Sequence, residues 1–135
     1  MKLEYRYNTG TKLVEIIITG DYRPKITGES LKKIFDQIKD LDYGKILFDF
    51  RQANVLLNTI TTYHRPQTFL KVGFARHIKY AYLFNAITDD IHFLETVMRN
   101  NGFEFHVFDN YDAAMKWLTD TNGINGRRKA QGFVK

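Results

Sequence analysis

The sequence predicts an α/β domain built on a mixed sheet, with the element order β-β-α-β-α-β-α-β-α. Two observations predict it: the chain opens with a hairpin signal, and from Lys45 onward short apolar runs alternate with amphipathic stretches. Short connections of that kind produce right-handed crossovers and parallel strands. Hydrophobic residues make up 44% of the 135 residues, which is enough to fill a core.

The N-terminal segment reads as an antiparallel hairpin. Residues 3–8 and 12–19 have strand character, and the "NTGT" between them supplies a tight turn. The following "GDYRPKITG", which contains Pro24 and Gly28, is predicted to be a loop. A first helix is predicted from Thr27 or Glu29 to Leu41, because apolar residues recur there at helical spacing.

The next elements alternate between buried strands and helices. "KILFDF" is almost wholly apolar, as expected for a strand covered on both faces. A second helix is predicted within Thr59–Val72, where Pro66 should sit in the first turn or begin the helix itself. "KYAYLFN" is the next predicted strand, and Thr88 then caps a third helix whose first turn holds Asp89 and Asp90.

The last strand, "FEFHVF", precedes a helix over Tyr111–Thr119 for which Asp109 is the predicted N-cap. We therefore expect one domain over residues 1–120. Residues 121–135 form a basic C-terminal tail, which holds four of the chain's twenty Lys and Arg residues and none of its fifteen acids.

Composition excludes several classes of function. The chain has no cysteine, so disulfides, zinc–thiolate sites and cysteine nucleophiles are absent. The N-terminus lacks the apolar run of a signal peptide, and no apolar stretch approaches the roughly 20 residues that span a bilayer. We expect a cytoplasmic protein without membrane insertion. No Gly-rich phosphate loop is present, and "GRRK" is too short to predict nucleic-acid binding.

Charge is distributed unevenly within the domain. No acidic residue lies between Phe50 and Thr88. Basic residues do occur in that stretch, namely Arg51, Arg65, Lys71, Arg76 and Lys79. They either form a positive surface for an acidic partner or a phosphate, or they are scattered, solvated charges.

Three segments resemble the STAS-like, or SpoIIAA-like, family of small bacterial proteins. They are "KILFDFRQAN", "KYAYLFNAITDD" with the helix that follows, and "HVFDNYDAAMKWL" near the end of the domain. The resemblance covers about residues 1–120. It implies the SpoIIAA-like mixed sheet, which is shared with anti-sigma-factor antagonists and with Sec14-like lipid carriers, but it implies no single activity.

The antagonists of that family carry an Asp-Ser-Ser-Gly-like motif whose serine, at a helix N-terminus, is phosphorylated. The matching stretch here reads Leu57-Asn58-Thr59-Ile60-Thr61-Thr62, without Ser or Gly. Thr59, Thr61 and Thr62 are candidate phosphoacceptors. The interpretation we favour is that one of them is simply the helix N-cap, so that the scaffold is kept and the switch is not.

The predicted binding surface combines the end of the central strand with the start of the second helix. Its residues are Asp49, Arg51, Asn58, Thr59, Thr61, Thr62, His64 and Arg65. Asp49 and Arg51 either bind a polar ligand or pair with each other to brace the loop. We expect a non-enzymatic protein-interaction or regulatory domain that binds a protein partner or a second copy as a homodimer. The alternative is a Sec14-like carrier of a lipid or anionic ligand, with a pocket near Asp49, Arg51 and the aromatic residues.

Catalysis is not expected. Glu104 and His106 share one face of the last predicted strand and are the best candidates for a metal site or an acid–base pair. No histidine has strong metal-ligand spacing. We therefore predict no catalytic residue, no metal and no cofactor.

Overall fold

The computed structural model describes residues 1–120; the predicted basic tail, residues 121–135, lies outside the described residues. The predicted order of strands and helices is confirmed. The elements are β1 (Lys2–Asn8), β2 (Leu13–Tyr22), α1 (Glu29–Ile38), β3 (Lys45–Val55), α2 (Thr59–Val72), β4 (Lys79–Leu83), α3 (Asp89–Asn100), β5 (Glu104–Phe108) and α4 (Tyr111–Thr119).

The five strands form one sheet in the order β1-β2-β3-β4-β5. β1 pairs antiparallel with β2, and every later pairing is parallel. Since the three crossovers all step in the same direction, right-handed connections place α1, α2 and α3 on one face of the sheet. The carboxyl ends of the parallel strands lie at the same end of the sheet, and α2, α3 and α4 begin there.

Successive side chains of the central strand β3 point to opposite faces of the sheet and so contribute to two separate cores. Ile46, Phe48 and Phe50 belong to the large core, which also contains Phe69 of α2 and the buried hydrophobic residues of α1 and α3. Leu47 points to the opposite face and packs with Leu118 and other residues of α4 in a smaller core. Asp49 and Arg51 continue the row of Leu47, so they lie on the α4 face.

β2 and β3 both extend beyond their predicted ends, to Tyr22 and Val55. The predicted loop "GDYRPKITG" is therefore wrong at its start. The extensions pair with each other, and Asp21 opposes Asn54, whose side-chain amide donates to the Asp21 carboxylate at 3.2 Å. The two extensions form backbone hydrogen bonds with each other. This pairing stabilises them as strands, although the strand propensity of their residues alone does not predict it.

α2 runs unbroken from Thr59 with Pro66 in its interior, so the predicted first-turn position of Pro66 is wrong. Asn58 caps the helix, because its side-chain oxygen accepts from the Thr61 backbone N–H at 2.8 Å. Pro66 is buried against the body of the protein, and this packing outweighs the lost helical hydrogen bond. In α4 the N-cap is Asn110, whose side chain accepts from the Ala113 N–H, and not Asp109.

Within residues 1–120, no helix is long and apolar enough to cross a membrane.

Gly73 closes α2 with φ 129°, and a Cβ at this position would lie 2.5 Å from Cζ of Phe35. We expect Gly73→Ala to lower the free energy of unfolding by at least ~1–2 kcal/mol, since positive φ alone costs an L-residue that much. Gly44→Ala is the matched control, because a Cβ there has no neighbour within 4 Å. Urea denaturation measures both. Equal effects of the two substitutions would contradict the tight packing of α2 against Phe35.

Candidate functional site

Asp49 and Arg51 form a two-pronged ion pair at the end of β3. The Arg51 Nε donates to Asp49 Oδ1 at 3.0 Å, and Nη2 donates to Oδ2 at 2.9 Å. The Arg51 backbone N–H also donates to Oδ1 at 3.0 Å. Hydrogen bonding to Asp49 is the main cause that raises the pKa of Arg51. Both carboxylate oxygens are thus engaged inside the strand, which favours the bracing interpretation over ligand binding.

The pair belongs to a polar cluster on the α4 face of the sheet. The Tyr111 hydroxyl donates to Glu15 Oε1 at 2.9 Å, and the Arg51 guanidinium lies 5.4 Å from the centre of the Tyr111 ring. Arg6 Nη2 lies 3.8 Å from the same Glu15 oxygen. Sequence reasoning missed Arg6, Glu15 and Tyr111, because they come from β1, β2 and α4 and meet only in the folded chain.

The eight residues of the predicted surface do not meet in one place. Asp49 and Arg51 lie on the α4 face, whereas α2 covers the opposite face of the sheet. Asn58 is engaged as the cap of α2. Thr59 and His64 are exposed, but Thr61, Thr62 and Arg65 are buried. The predicted surface therefore divides into two sites on opposite sides of the sheet.

The three candidate phosphoacceptors differ in access. Thr61 and Thr62 are only 7% and 4% exposed, whereas Thr59 is exposed. A kinase needs an accessible hydroxyl, so Thr59 is the one that meets this requirement in the folded chain. The expectation that one of the threonines caps α2 is wrong, because Asn58 does so.

α2 has the reverse of the usual amphipathic pattern. Its inward face is largely polar and consists of Thr61, Thr62, Arg65, Pro66, Thr68 and Phe69. Its outward face carries Ile60, Tyr63 and Leu70, which are 65%, 64% and 39% exposed. A surface helix of a globular protein ordinarily buries such apolar residues.

The exposed apolar side chains of α2 continue onto α3. A groove of about 310 Å³ between the two helices is lined by Tyr63 and Gln67 from α2 and by Phe93 and Val97 from α3. Ile60, Tyr63 and Leu70 recur at helical spacing and so form one stripe beside this groove. We call Ile60, Tyr63, Leu70 and Phe93 the α2–α3 apolar surface.

Arg65 lies beneath the first turns of α2 and is 4% exposed. It lines a cavity of about 10 Å³ together with Tyr22, Thr61, Thr62 and Tyr82. Burial raises the pKa of both tyrosines, and the positive charge of Arg65 opposes that rise. Among the residues that the structure describes, none forms an ion pair or a hydrogen bond with the Arg65 guanidinium. The nitrogens of this guanidinium still reach solvent, because they are not among the buried polar atoms without a partner.

The other basic residues of the acid-free stretch are scattered. Arg76 Nε donates to the Asn101 carbonyl at 2.8 Å at the start of β4. Lys79 Nζ donates to the Trp117 carbonyl at 2.9 Å, and burial is the main cause that lowers its pKa. Both lie at the end of the sheet opposite to Arg51. Within residues 1–120 these charges are scattered and do not form one positive surface, but Arg65 is buried and so is not a solvated charge.

His106 does not pair with Glu104. Its Nδ1 lies 3.5 Å from Glu95 Oε2, and the same oxygen accepts from the backbone N–H of Val107. The imidazole packs against Trp117 at 4.6 Å between ring centres. Within residues 1–120, no group of three or more His, Asp or Glu residues has a geometry suited to a metal ion.

The aromatic residues pack against one another. Phe48 contacts Tyr82 edge-on at 4.9 Å between ring centres, and Phe50 stacks on Phe84 at 5.1 Å. Beside them, the cavity that Tyr22, Tyr82 and Arg65 line holds about 10 Å³. A Sec14-like carrier needs several hundred Å³, so this cavity does not favour that alternative.

Among solved structures, the chain is similar to an uncharacterised protein of the DUF3478 family from Shewanella loihica, which is described as having a SpoIIAA-like fold. The sequence identity is 15%, the match covers 87% of this chain and 92% of that one, and the TM-score is 0.47. Its description names the fold that the sequence resemblance predicts. No protein-family model matches this chain, and no curated protein matches it significantly.

We expect the stability of the protein to depend on pH through His106. Burial is the main cause that lowers the pKa of His106, and the nearby charge of Arg99 lowers it further. The unfolded chain therefore takes up the proton first as the pH falls below about 6.5, and the contribution of neutral His106 to stability is lost below that pH.

Thermal unfolding at about pH 7.5 and pH 5.5 tests this. The fall in Tm between the two should be smaller in His106→Gln than in the wild type. The control is His77→Gln, which replaces an exposed histidine and should keep the wild-type pH dependence. The same fall in Tm in all three proteins would show that His106 is not the group responsible.

Proposed function

We propose that this chain is a non-enzymatic protein-interaction domain that binds its partner through the α2–α3 apolar surface. The observation that carries the proposal is the reversed amphipathic pattern of α2. Contiguous apolar side chains on a surface favour association with another protein, whereas isolated ones carry no such meaning. Tyr63 and Phe93 line a groove of about 310 Å³, and the exposed Ile60 and Leu70 lie on the same stripe of α2 as Tyr63.

The partner we infer is an apolar segment flanked by acidic residues. The exposed face of α2 contains no acid, and it carries His64 and Lys71 beside the apolar stripe. A groove between two helices suits an amphipathic helix that inserts its apolar residues, while acidic residues at its rim face the basic side chains. On the α2 side of the groove this charge pattern favours a different protein over a second copy of the chain, whereas on the α3 side Asp89 and Asp90 lie one turn before Phe93.

Photo-crosslinking in the host cell tests the proposal. A benzophenone amino acid replaces Tyr63, and the matched control places it at Ala113, an exposed position on α4 at the opposite face of the sheet. We expect a discrete heteromeric product from position 63 that is absent from position 113. A product of twice the chain's mass would instead support the homodimer.

Binding of the purified crosslinked partner then provides the quantitative test. We expect Ile60→Ser to weaken binding about tenfold or more, since burying an isoleucine contributes about 1.5–3 kcal/mol. Ile26→Ser is the control, because Ile26 is also exposed but lies in the loop before α1. Equal affinities of the two variants, or identical crosslinks from both positions, would refute the proposal.

A further inference from the structure

The Arg65 side chain is largely buried, water still reaches its guanidinium nitrogens, and the described part of the chain supplies no counter-charge for them. A guanidinium stays protonated at every physiological pH. Partial removal of such a charge from water has a free-energy cost, which a bound anion would offset. Arg65 is 4% exposed, and none of the carboxylates of residues 1–120 lies within ion-pair distance of it.

The cavity beside Arg65 is lined by further hydrogen-bonding residues. Tyr22, Thr61, Thr62 and Tyr82 each carry a hydroxyl, and no side-chain hydrogen bond within residues 1–120 joins any of these hydroxyls to another group. Thr61 and Thr62 belong to the first turn of α2, whose helix dipole adds positive potential at the same place. The surroundings therefore offer several donors and no anion.

The size of the cavity defines what can enter. A volume of about 10 Å³ accommodates about one oxygen-sized atom. Carboxylates and phosphates present such oxygens, and a guanidinium recognises both groups through charge-assisted hydrogen bonds. The apolar remainder of the wall comes from Pro24, Leu57 and Leu94, which suits the carbon atoms next to the anionic group.

We propose that Arg65 anchors an oxyanion-binding site in which one oxygen of a carboxylate or phosphate group enters the cavity beneath the first turn of α2. The site is separate from the Asp49–Arg51 pair, which lies on the other face of the sheet. It is also independent of the proposed protein-binding role, because Arg65 and the apolar stripe occupy opposite faces of α2.

Substitution of Arg65 by methionine separates an anion site from a structural role. Replacing an uncompensated buried charge by an apolar side chain of similar size is neutral or stabilising. Without an oxyanion, Arg65→Met should therefore have a Tm equal to or above that of the wild type. The control Arg23→Met removes the same charge from an exposed position in the neighbouring segment.

The measurement is Tm against the concentration of acetate, inorganic phosphate and chloride at matched ionic strength. We expect a saturable rise with acetate or phosphate in the wild type and in Arg23→Met, and no such rise in Arg65→Met. Comparison between variants removes the general stabilisation that phosphate gives to any protein. A response to acetate alone identifies a carboxylate ligand, and a response to phosphate alone identifies a phosphoryl group.

Nitrogen-15 NMR of the arginine side chains tests the wild type directly and does not depend on the folding of a variant. The Arg65 Nε–H resonance should shift with acetate or phosphate and stay unchanged with chloride. No oxyanion-dependent shift in the wild type would overturn the proposal, as would a saturable response that Arg65→Met retains. Loss of the Arg65 response would leave the crosslinking at position 63 unaffected, so the two proposals fail separately.

Discussion

The burial of Phe69 determines how α2 is rotated on the sheet. Its side chain is fully buried, and its ring contacts those of Phe74, Tyr80 and Phe103 at 5.2 to 5.6 Å between centres. One α-helical residue turns the helix by about 100°, so residues four, seven and eight positions before Phe69 point inward with it. Those residues are Arg65, Thr62 and Thr61.

The α2–α3 apolar surface and the cavity beside Arg65 both result from this orientation of α2 on the sheet. With Phe69 inside, Ile60 and Tyr63 face solvent although they are large and apolar, and Arg65 is buried although it is charged. Departures of this kind from the usual pattern are typical of functional positions, where a protein gives up stability for binding.

The sequence predicted the element order well, because strand and helix periodicities are local signals that survive in the fold. Thr88 caps α3 as expected, whereas Asn58 and Asn110 take the place of the predicted caps of α2 and α4. The interior position of Pro66 and the inward face of α2 were not predictable, because both result from contacts with distant aromatic residues that override local preference. Glu15 and Tyr111 escaped notice for the same reason: they are 96 positions apart in the chain.

Cysteine labelling tests the rotation of α2 most directly, since the chain contains no cysteine of its own. Tyr63→Cys and Thr62→Cys place single thiols at neighbouring positions, of which 63 is exposed and 62 is buried. In the native state, a maleimide should label position 63 at the rate of a free peptide and position 62 far more slowly, and both should label equally in denaturant. Equal labelling rates in the native state, or faster labelling at position 62, would contradict the orientation of α2 described above.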